Sequence, residues 1–342
     1  MTRWRQAIST IWNNEVYKKL INFIHVNEPD IIHIHNTFPL GSPAIISAVQ
    51  KENIPLVMTL HNYRLLCLNA IFYRQGFVCE DCLGHYPWRG ILHECYRKRP
   101  ESAVVACMIC FHRLIKTWDH VDRFIALTKF SHDKFVEAGI ASEKIDIRPN
   151  FIFPDPGCRT AKGKYALFIG RLSSEKGIKT LLNAWAHLDS DIPLKIVGDG
   201  MLKGDIYSII PNMKNVALLG KLTSEEIYSL MEEASFLIFP SEWYEGMPRV
   251  LLEAFAKGLP VITSDIGSQK TIVKSGLTGL YFEAGDYVDL TRKAIWAFEH
   301  PDAMTAMGKA ARREYEEKYT AEKNYTILME IYSKAISYHR NH

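Results

Sequence analysis

The chain has 342 residues, is 47% hydrophobic and 23% charged, and carries a formal net charge of +3. At about 150 residues per domain this length fits two domains, and the composition excludes a disordered, collagen-like or disulfide-scaffold protein. The charge is too mild for nucleic acid to be the main ligand. The longest unbroken apolar run, Ala103 to Phe111, falls well short of the roughly 20 residues a membrane-spanning helix needs. Seven cysteines, an odd number, in a chain that does not open on an export signal point to a reducing compartment, the cytoplasm.

Residues 1–28 read as one amphipathic helix, with Ile8, Trp12, Val16, Leu20 and Ile24 spaced four apart. Arg3, Arg5, Lys18 and Lys19 share this stretch with Trp4 and Trp12. Such a helix suits packing on the first domain or peripheral contact with an anionic membrane face. Short apolar runs follow at 31–35, 54–60, 123–128 and 145–148, among helical stretches at 43–51, 102–118 and 130–138. Strands alternating with helices predict a parallel sheet covered on both faces. A doubly wound domain normally opens on a strand and a tight Gly turn, whereas this chain opens on a polar helix, so the expectation is that either the first domain is abbreviated or the start of a longer chain is absent. Segment 148–164, rich in Pro, Gly and Lys, reads as a linker.

Six strand candidates follow at 165–172, 194–200, 216–222, 236–241, 259–265 and 279–283, enough for a complete doubly wound domain. From 301 onward the pattern is helical. Tyr325, Leu328, Met329, Tyr332 and Ile336 form an apolar stripe whose expected partner is the first domain. The expected organisation is therefore a first domain at 1–155 with a Cys-rich insertion at 61–100, a second at 156–318, and a terminal helix at 319–342 packing back on the first.

Two segments carry the chemistry. In FPSEWYEGMPRVLLEAFAKGLPVITSD, 239–265, a strand ends at Ser241, and Pro248 falls at an expected first helical position. Glu245 lies on the loop between them and Glu253 inside the helix, eight residues on. Backbone N–H groups at the start of a helix favour a phosphorylated ligand in front of them, and carboxylates beside it accept hydrogen bonds from sugar or ribose hydroxyls. In GRLSSEKG, 170–177, a strand leads through Arg171 and Lys176 into a helix. Two cations at one strand edge suit a diphosphate, the Arg as a fork and the Lys as a point charge.

With these motifs the chain resembles the retaining glycosyltransferases of family 4, with the GT-B fold, over roughly 30–342 and most specifically over 165–300. The family's G-R-L-x-x-x-K-G loop corresponds to Gly170–Gly177, and its E-x(7)-E pair to Glu245 and Glu253; GDG at 198–200 also fits. The resemblance implies two doubly wound Rossmann-like domains facing a cleft, the first incomplete. It implies transfer of a sugar from a nucleotide diphosphate sugar, by family frequency a UDP-sugar, to a glycan or lipid-linked acceptor with retention. In this reading Arg171 and Lys176 hold the donor diphosphate, Glu253 the ribose and Glu245 the donor sugar. Gly170 and Gly198 belong to the donor site, and Gly246, Met247 and Pro248 supply backbone contacts. His61, at the end of a first-domain strand, is implied to face the donor sugar and acceptor, completing a catalytic set with Glu245, Arg171 and Lys176. No catalytic metal is implied.

Two departures stand out. The family's N-terminal strand and Gly-rich loop have no counterpart in the sequence, and the family's frequent G-G-x-P-E run appears as Gly267-Ser268-Gln269-Lys270-Thr271. The abbreviated first half leaves room for a non-catalytic nucleotide-sugar-binding protein or one subunit of a split transferase. An epimerase on the same two-domain plan is a further alternative. Separately, Cys67, Cys79, Cys82 and Cys95 include one C-x-x-C pair, and four thiolates suit a tetrahedral structural zinc. Cys107 and Cys110 read as helix core.

Overall fold

A computed structural model of the chain describes residues 3–39, 41–188 and 191–341. The side chains of Arg3 and Trp4, part of the basic amphipathic pattern, lie outside this description. The chain forms two compact units. One comprises Met1–Arg74, Cys79–Pro149 and Tyr325–His342; the other comprises Asn150–Asn324 and the short segment Gln75–Val78.

The first unit holds a four-stranded sheet in the order Ile32–Ile34, Leu56–Leu60, Arg123–Ala126, Ile145–Ile147. All its pairings are parallel. Leu56–Leu60 is buried at every position, which is why its sequence reads as an apolar run without alternation. The expected single N-terminal helix is two, Arg3–Ile11 and Asn14–Asn27. Asn13 causes the break: its side chain caps the second helix by accepting a hydrogen bond from the Val16 N–H at 3.2 Å, the role Asn fills best. The apolar positions therefore do not share one face, and Ile24 is buried while Ile8 is 64% exposed.

The helix Ala321–Arg340 begins in the second unit and from Tyr325 onward belongs to the first. Its Ile331 and Ala335 are buried against Val57 and Ile125, with Ile327, Leu328 and Tyr332 packed around them. Tyr325 and Met329, expected on that stripe, are 65% and 43% exposed. Lys334 pairs with Asp146 at 2.7 Å on the flank.

The second unit is built on a six-stranded sheet in the order Gly279–Phe282, Val261–Ser264, Ala234–Phe239, Tyr165–Ile169, Leu194–Val197, Val216–Gly220. Every pairing is parallel. The order steps outward both ways from the central pair, so the loops after Tyr165–Ile169 and Ala234–Phe239 leave one sheet end at the point where the winding reverses. Doubly wound sheets bind ligands there. Helix Ile178–Ala186 covers one face with Leu181, Leu182 and Trp185, and the Trp185 indole N–H donates to the Ile192 carbonyl at 2.9 Å. No described helix is long and apolar enough to cross a membrane.

Candidate functional site

Two glycines set the geometry at the carboxyl end of the second sheet. Gly177 begins helix Ile178–Ala186 at φ +68°, and a Cβ there would lie 1.8 Å from the Pro240 carbonyl oxygen. Gly198 stands at φ +145°, and a Cβ there would lie 1.9 Å from the Gly170 carbonyl oxygen. Only glycine allows both the positive φ and the close backbone approach. The motif glycines thus draw the loop 170–177 against the segment after Phe239 and against the GDG turn. Backbone hydrogen bonds join these pieces: Glu242 N–H to Glu175 O at 2.9 Å, Leu172 N–H to Asp199 O at 2.9 Å and Gly170 N–H to Val197 O at 3.0 Å.

This closeness brings Lys176 and Glu245 together. Lys176 Nζ lies 2.5 Å from Glu245 Oε1, and the Ser241 hydroxyl donates to the same oxygen at 2.7 Å. The Ser268 hydroxyl donates to the Glu245 carbonyl at 2.8 Å. Glu245 is 6% exposed. The Lys176 ammonium also stands 5.4 Å and 5.7 Å from the ring centroids of Trp243 and Phe239, within range of a cation–π attraction. A buried carboxylate carrying one cation and one hydroxyl is pinned in place.

Arg171 is held differently. Its side chain is 62% exposed and bonds Glu175 Oε1 at 2.5 Å, which also accepts from the Ser173 hydroxyl at 2.7 Å. Burial alone would push Glu175 up, but the Ser173 hydroxyl, a backbone N–H and the Arg171 guanidinium hold its carboxyl below the usual range. Arg171 is an exposed cation with a weak tether, whereas Lys176 is a largely buried one.

The second carboxylate of the motif stands apart. The helix spans Arg249–Ala256 with Pro248 as its N-cap, so Pro248 precedes the first helical position rather than filling it. Glu253 lies in the second turn, 3.9 Å from Arg249 Nη2. Burial pushes its carboxyl up, opposed by Arg249. Among the described residues no hydrogen bond or ion pair joins Glu253 to Arg171, Lys176 or Glu245. The Met247 carbonyl accepts from Asn150 Nδ2 at 3.0 Å, and the Pro248 carbonyl from the Leu251 N–H at 3.2 Å. Backbone donors in this turn are therefore the N–H groups of Gly246 and Met247, since proline has none.

Several members of the cluster escaped the sequence reading. Glu175, Ser173, Ser241 and Ser268 orient the named residues, and Glu242 accepts from the Thr180 hydroxyl at 2.5 Å. The i,i+4 spacing of Arg171 and Glu175 was the one available signal. Glu245 meets Lys176 and Ser268 only because their strand ends are neighbours in space.

In the first unit, His61 follows strand Leu56–Leu60 directly. Its Nε2 lies 2.9 Å from His35 Nδ1, a partner the sequence reading did not identify. Cys67, Cys79, Cys82 and Cys95 line one small cavity. Among the described residues, however, no group of three or more His, Cys, Asp or Glu side chains could hold a metal ion, so the expected zinc is not supported. Burial pushes Cys67 up and, with the neighbouring Cys67, takes Cys82 and Cys95 to about 11, so these three stand as thiols in the metal-free chain. The Cys67 thiol donates instead to Asn69 Oδ1 at 2.9 Å. Cys107 is exposed and Cys110 only half-buried, so Cys107 is not the core residue expected.

Both halves of the chain match glycosyltransferase family models. Residues 157–314 match the family model for glycosyl transferases group 1, and residues 7–155 that for glycosyltransferase family 4. An uncharacterized glycosyltransferase, MJ1178 of Methanocaldococcus jannaschii, is 25% identical over 320 residues, covering 93% of this chain and 79% of its own. A GDP-mannose-dependent alpha-mannosyltransferase of Corynebacterium glutamicum is 25% identical over 311 residues, 90% of this chain and 68% of its own. Among solved structures, Anabaena Alr3699/HepE in complex with UDP superimposes with a TM-score of 0.70 at 18% identity, covering 94% of this chain and 82% of that one.

Proposed function

Because the chain belongs to the family 4 glycosyltransferases of GT-B fold, we propose that it moves a sugar from a nucleotide diphosphate sugar to a glycan or lipid-linked acceptor with retention of configuration. The observation that carries this reading is the clustering of Lys176, Glu245 and the Arg171–Glu175 pair at the carboxyl end of the second sheet, on loops that open helices. In the reaction the bond between the anomeric carbon and the β-phosphate breaks, leaving negative charge on the diphosphate and positive charge on the sugar. Lys176 and Arg171 stabilise the first, and Glu245 the second. All three act most where charge develops, which is how preorganised charges lower a barrier. Arg171 can leave its exposed tether to Glu175 for a diphosphate at little cost. Glu253 accepts hydrogen bonds from the ribose hydroxyls, and His61 meets a sugar hydroxyl. The departing phosphate takes the acceptor proton, so no separate protein base is needed.

The nucleotide is uridine in the HepE complex and guanosine in the mannosyltransferase; we favour a UDP-sugar, and the test includes both. Peripheral membrane contact is a further part of the proposal. Ile8, Phe23 and Val26 are 64%, 56% and 81% exposed on the first two helices, beside the exposed Arg5, Lys18 and Lys19. The reading is tested by incubating the chain with a panel of UDP- and GDP-sugars and measuring nucleoside diphosphate release. Release from at least one donor is expected. No release from any, with UDP and GDP both failing to bind by calorimetry, would overturn it.

A further inference from the structure

His35 and His61 each follow directly on one of two neighbouring parallel strands, Ile32–Ile34 and Leu56–Leu60. Besides the 2.9 Å contact between His35 Nδ1 and His61 Nε2, their rings stack with centroids 5.2 Å apart. On the other side of His35 the ring of His33 stacks at 4.3 Å. His33 is locked at both nitrogens: Nδ1 lies 2.8 Å from the Tyr332 hydroxyl and Nε2 2.7 Å from Thr59 Oγ1. Three imidazoles thus form one stack, anchored at the His33 end and reaching His61 at the other. Among the described residues neither the His35 ring nor the His61 ring makes a second hydrogen bond.

We propose that His35 is the positioning residue of His61: it holds the His61 ring by Nε2 and thereby presents Nδ1 to a sugar hydroxyl. This rests on the reading of His61 as a sugar-contacting residue. A lone histidine at a strand end can turn about its outer side-chain torsion and hold its proton on either nitrogen. The bond to His35 removes the first freedom, and the stack on His33 fixes His35 in turn.

The choice of partner has a chemical consequence. A carboxylate would only accept, leaving His61 with its proton on Nε2 and favouring the charged ring. A neutral imidazole can accept or donate. When His61 donates from Nε2, its Nδ1 accepts the hydroxyl proton of a sugar; when His35 donates from Nδ1, the Nδ1–H of His61 donates to the hydroxyl oxygen. A sugar hydroxyl is both donor and acceptor, so the pair can meet it in either sense without a change of geometry. The groups facing the pair keep it neutral. Burial lowers His61, aided by His35 and Arg148; burial and Arg148 lower His35; burial brings His33 to about 4, with Tyr332 and Thr59 as its uncharged partners.

The test uses the full chain with 15N-labelled histidine, so that imidazole shifts report tautomer and titration without requiring turnover. In the wild type, His61 should show one bonded Nε2 and titrate below the ordinary histidine value. In His35→Leu its shifts should move to those of a free imidazole and its titration should rise, because a like-charge neighbour is gone. His35→Asn, whose amide stands near the place of Nδ1, should restore much of the bonded signal. On a donor that turns over, His35→Leu should lower kcat roughly tenfold or more, since small misplacements of groups near reacting atoms cost up to about 10²-fold. Donor affinity should stay within about twofold, the acid limb of the rate should move to higher pH, and His35→Asn should recover part of the loss. Unchanged His61 shifts and titration in His35→Leu would overturn the proposal, as would an unchanged kcat and acid limb. If no nucleotide sugar turns over and neither UDP nor GDP binds, the functional reading falls, while the nitrogen shifts still decide whether His35 holds His61.

Discussion

Replacing Gly177 by alanine tests how the two loops of the candidate site are held together. The residue sits at φ +68° and ψ 22°. The new Cβ would fall 1.8 Å from the Pro240 carbonyl oxygen and 2.7 Å from its carbon. Both obstacles are backbone atoms, so no side chain can swing aside. The left-handed conformation costs a non-glycine residue about 1–2 kcal/mol, and relieving the overlap about 1–3 kcal/mol more, roughly 2–5 kcal/mol together. Lys176 precedes Gly177 and Ser241 follows Pro240, so the displacement also draws Lys176 away from Glu245 and Ser241. Urea unfolding followed by tryptophan fluorescence reads the stability; Trp185 and Trp243 lie in the second unit. Calorimetry with UDP or GDP reads the site. The urea midpoint should fall and nucleotide binding should weaken. A Gly177→Ala chain with the wild-type midpoint and affinity would refute the close approach and the argument built on it.

Glu253→Gln should raise the donor KM several-fold and leave kcat nearly intact, because ribose contacts are equal in the ground and transition states. Burial pushes the Glu253 carboxyl up, so donor binding should weaken as the pH falls through a window above the ordinary glutamate range. Steady-state KM against pH checks this, and the Gln variant should lack that dependence. Glu232 is held near 2 rather than 4.5: burial opposes this, but Lys257 at 2.7 Å and the N–H groups of Thr160 and Ala161 outweigh it. Its folded pKa is depressed, so the stability it adds is present in full above about pH 4.5 and lost as the pH falls toward 2. Partial exposure scales that contribution to about 1–3 kcal/mol, and acid unfolding of Glu232→Gln should show a correspondingly shallower pH dependence. For the membrane proposal, anionic vesicles should sediment the chain at low salt and release it at high salt; equal binding to neutral vesicles would contradict it.

The strands were legible because parallel strands buried on both faces leave continuous apolar runs. FLIF before Ser241 and YALFI before Gly170 are examples. Helix ends were less so. Counting apolar residues four apart carried one helix straight through Asn13, where the side chain in fact starts a new one. In the last helix the 3–4 spacing put Tyr325, Leu328, Met329, Tyr332 and Ile336 on one stripe, of which Leu328 and Tyr332 do pack against the sheet while Tyr325 and Met329 are exposed. The buried positions are Ile331 and Ala335, with Ile327 beside them, and a small alanine at a close contact gives little signal. At the site, the motif loops could be read along the chain, and so could their glycines. Contacts across strand ends could not: Lys176 with Glu245 and His35 with His61 depend on which strands are neighbours. The cysteines show the converse. Their spacing allowed four ligands, and the fold gathers them around one cavity, but among the described residues they do not form a group that could hold a metal ion.

The central claim is that Glu245 stabilises charge that appears as the bond to the diphosphate breaks, and it is tested most directly by the kinetics of Glu245→Gln beside the wild type. The measurement is initial-rate release of nucleoside diphosphate from whichever donor the wild type turns over, across donor concentrations. The variant keeps the side-chain shape and a hydrogen-bonding oxygen for Ser241 and Lys176 while losing the charge. The account predicts that kcat and kcat/KM fall together, by about 10²-fold or more as for other preorganised charged or dipolar groups, with donor KM changed little. A variant that keeps the wild-type kcat and shows only a raised KM would contradict it and leave Glu245 as a binding residue.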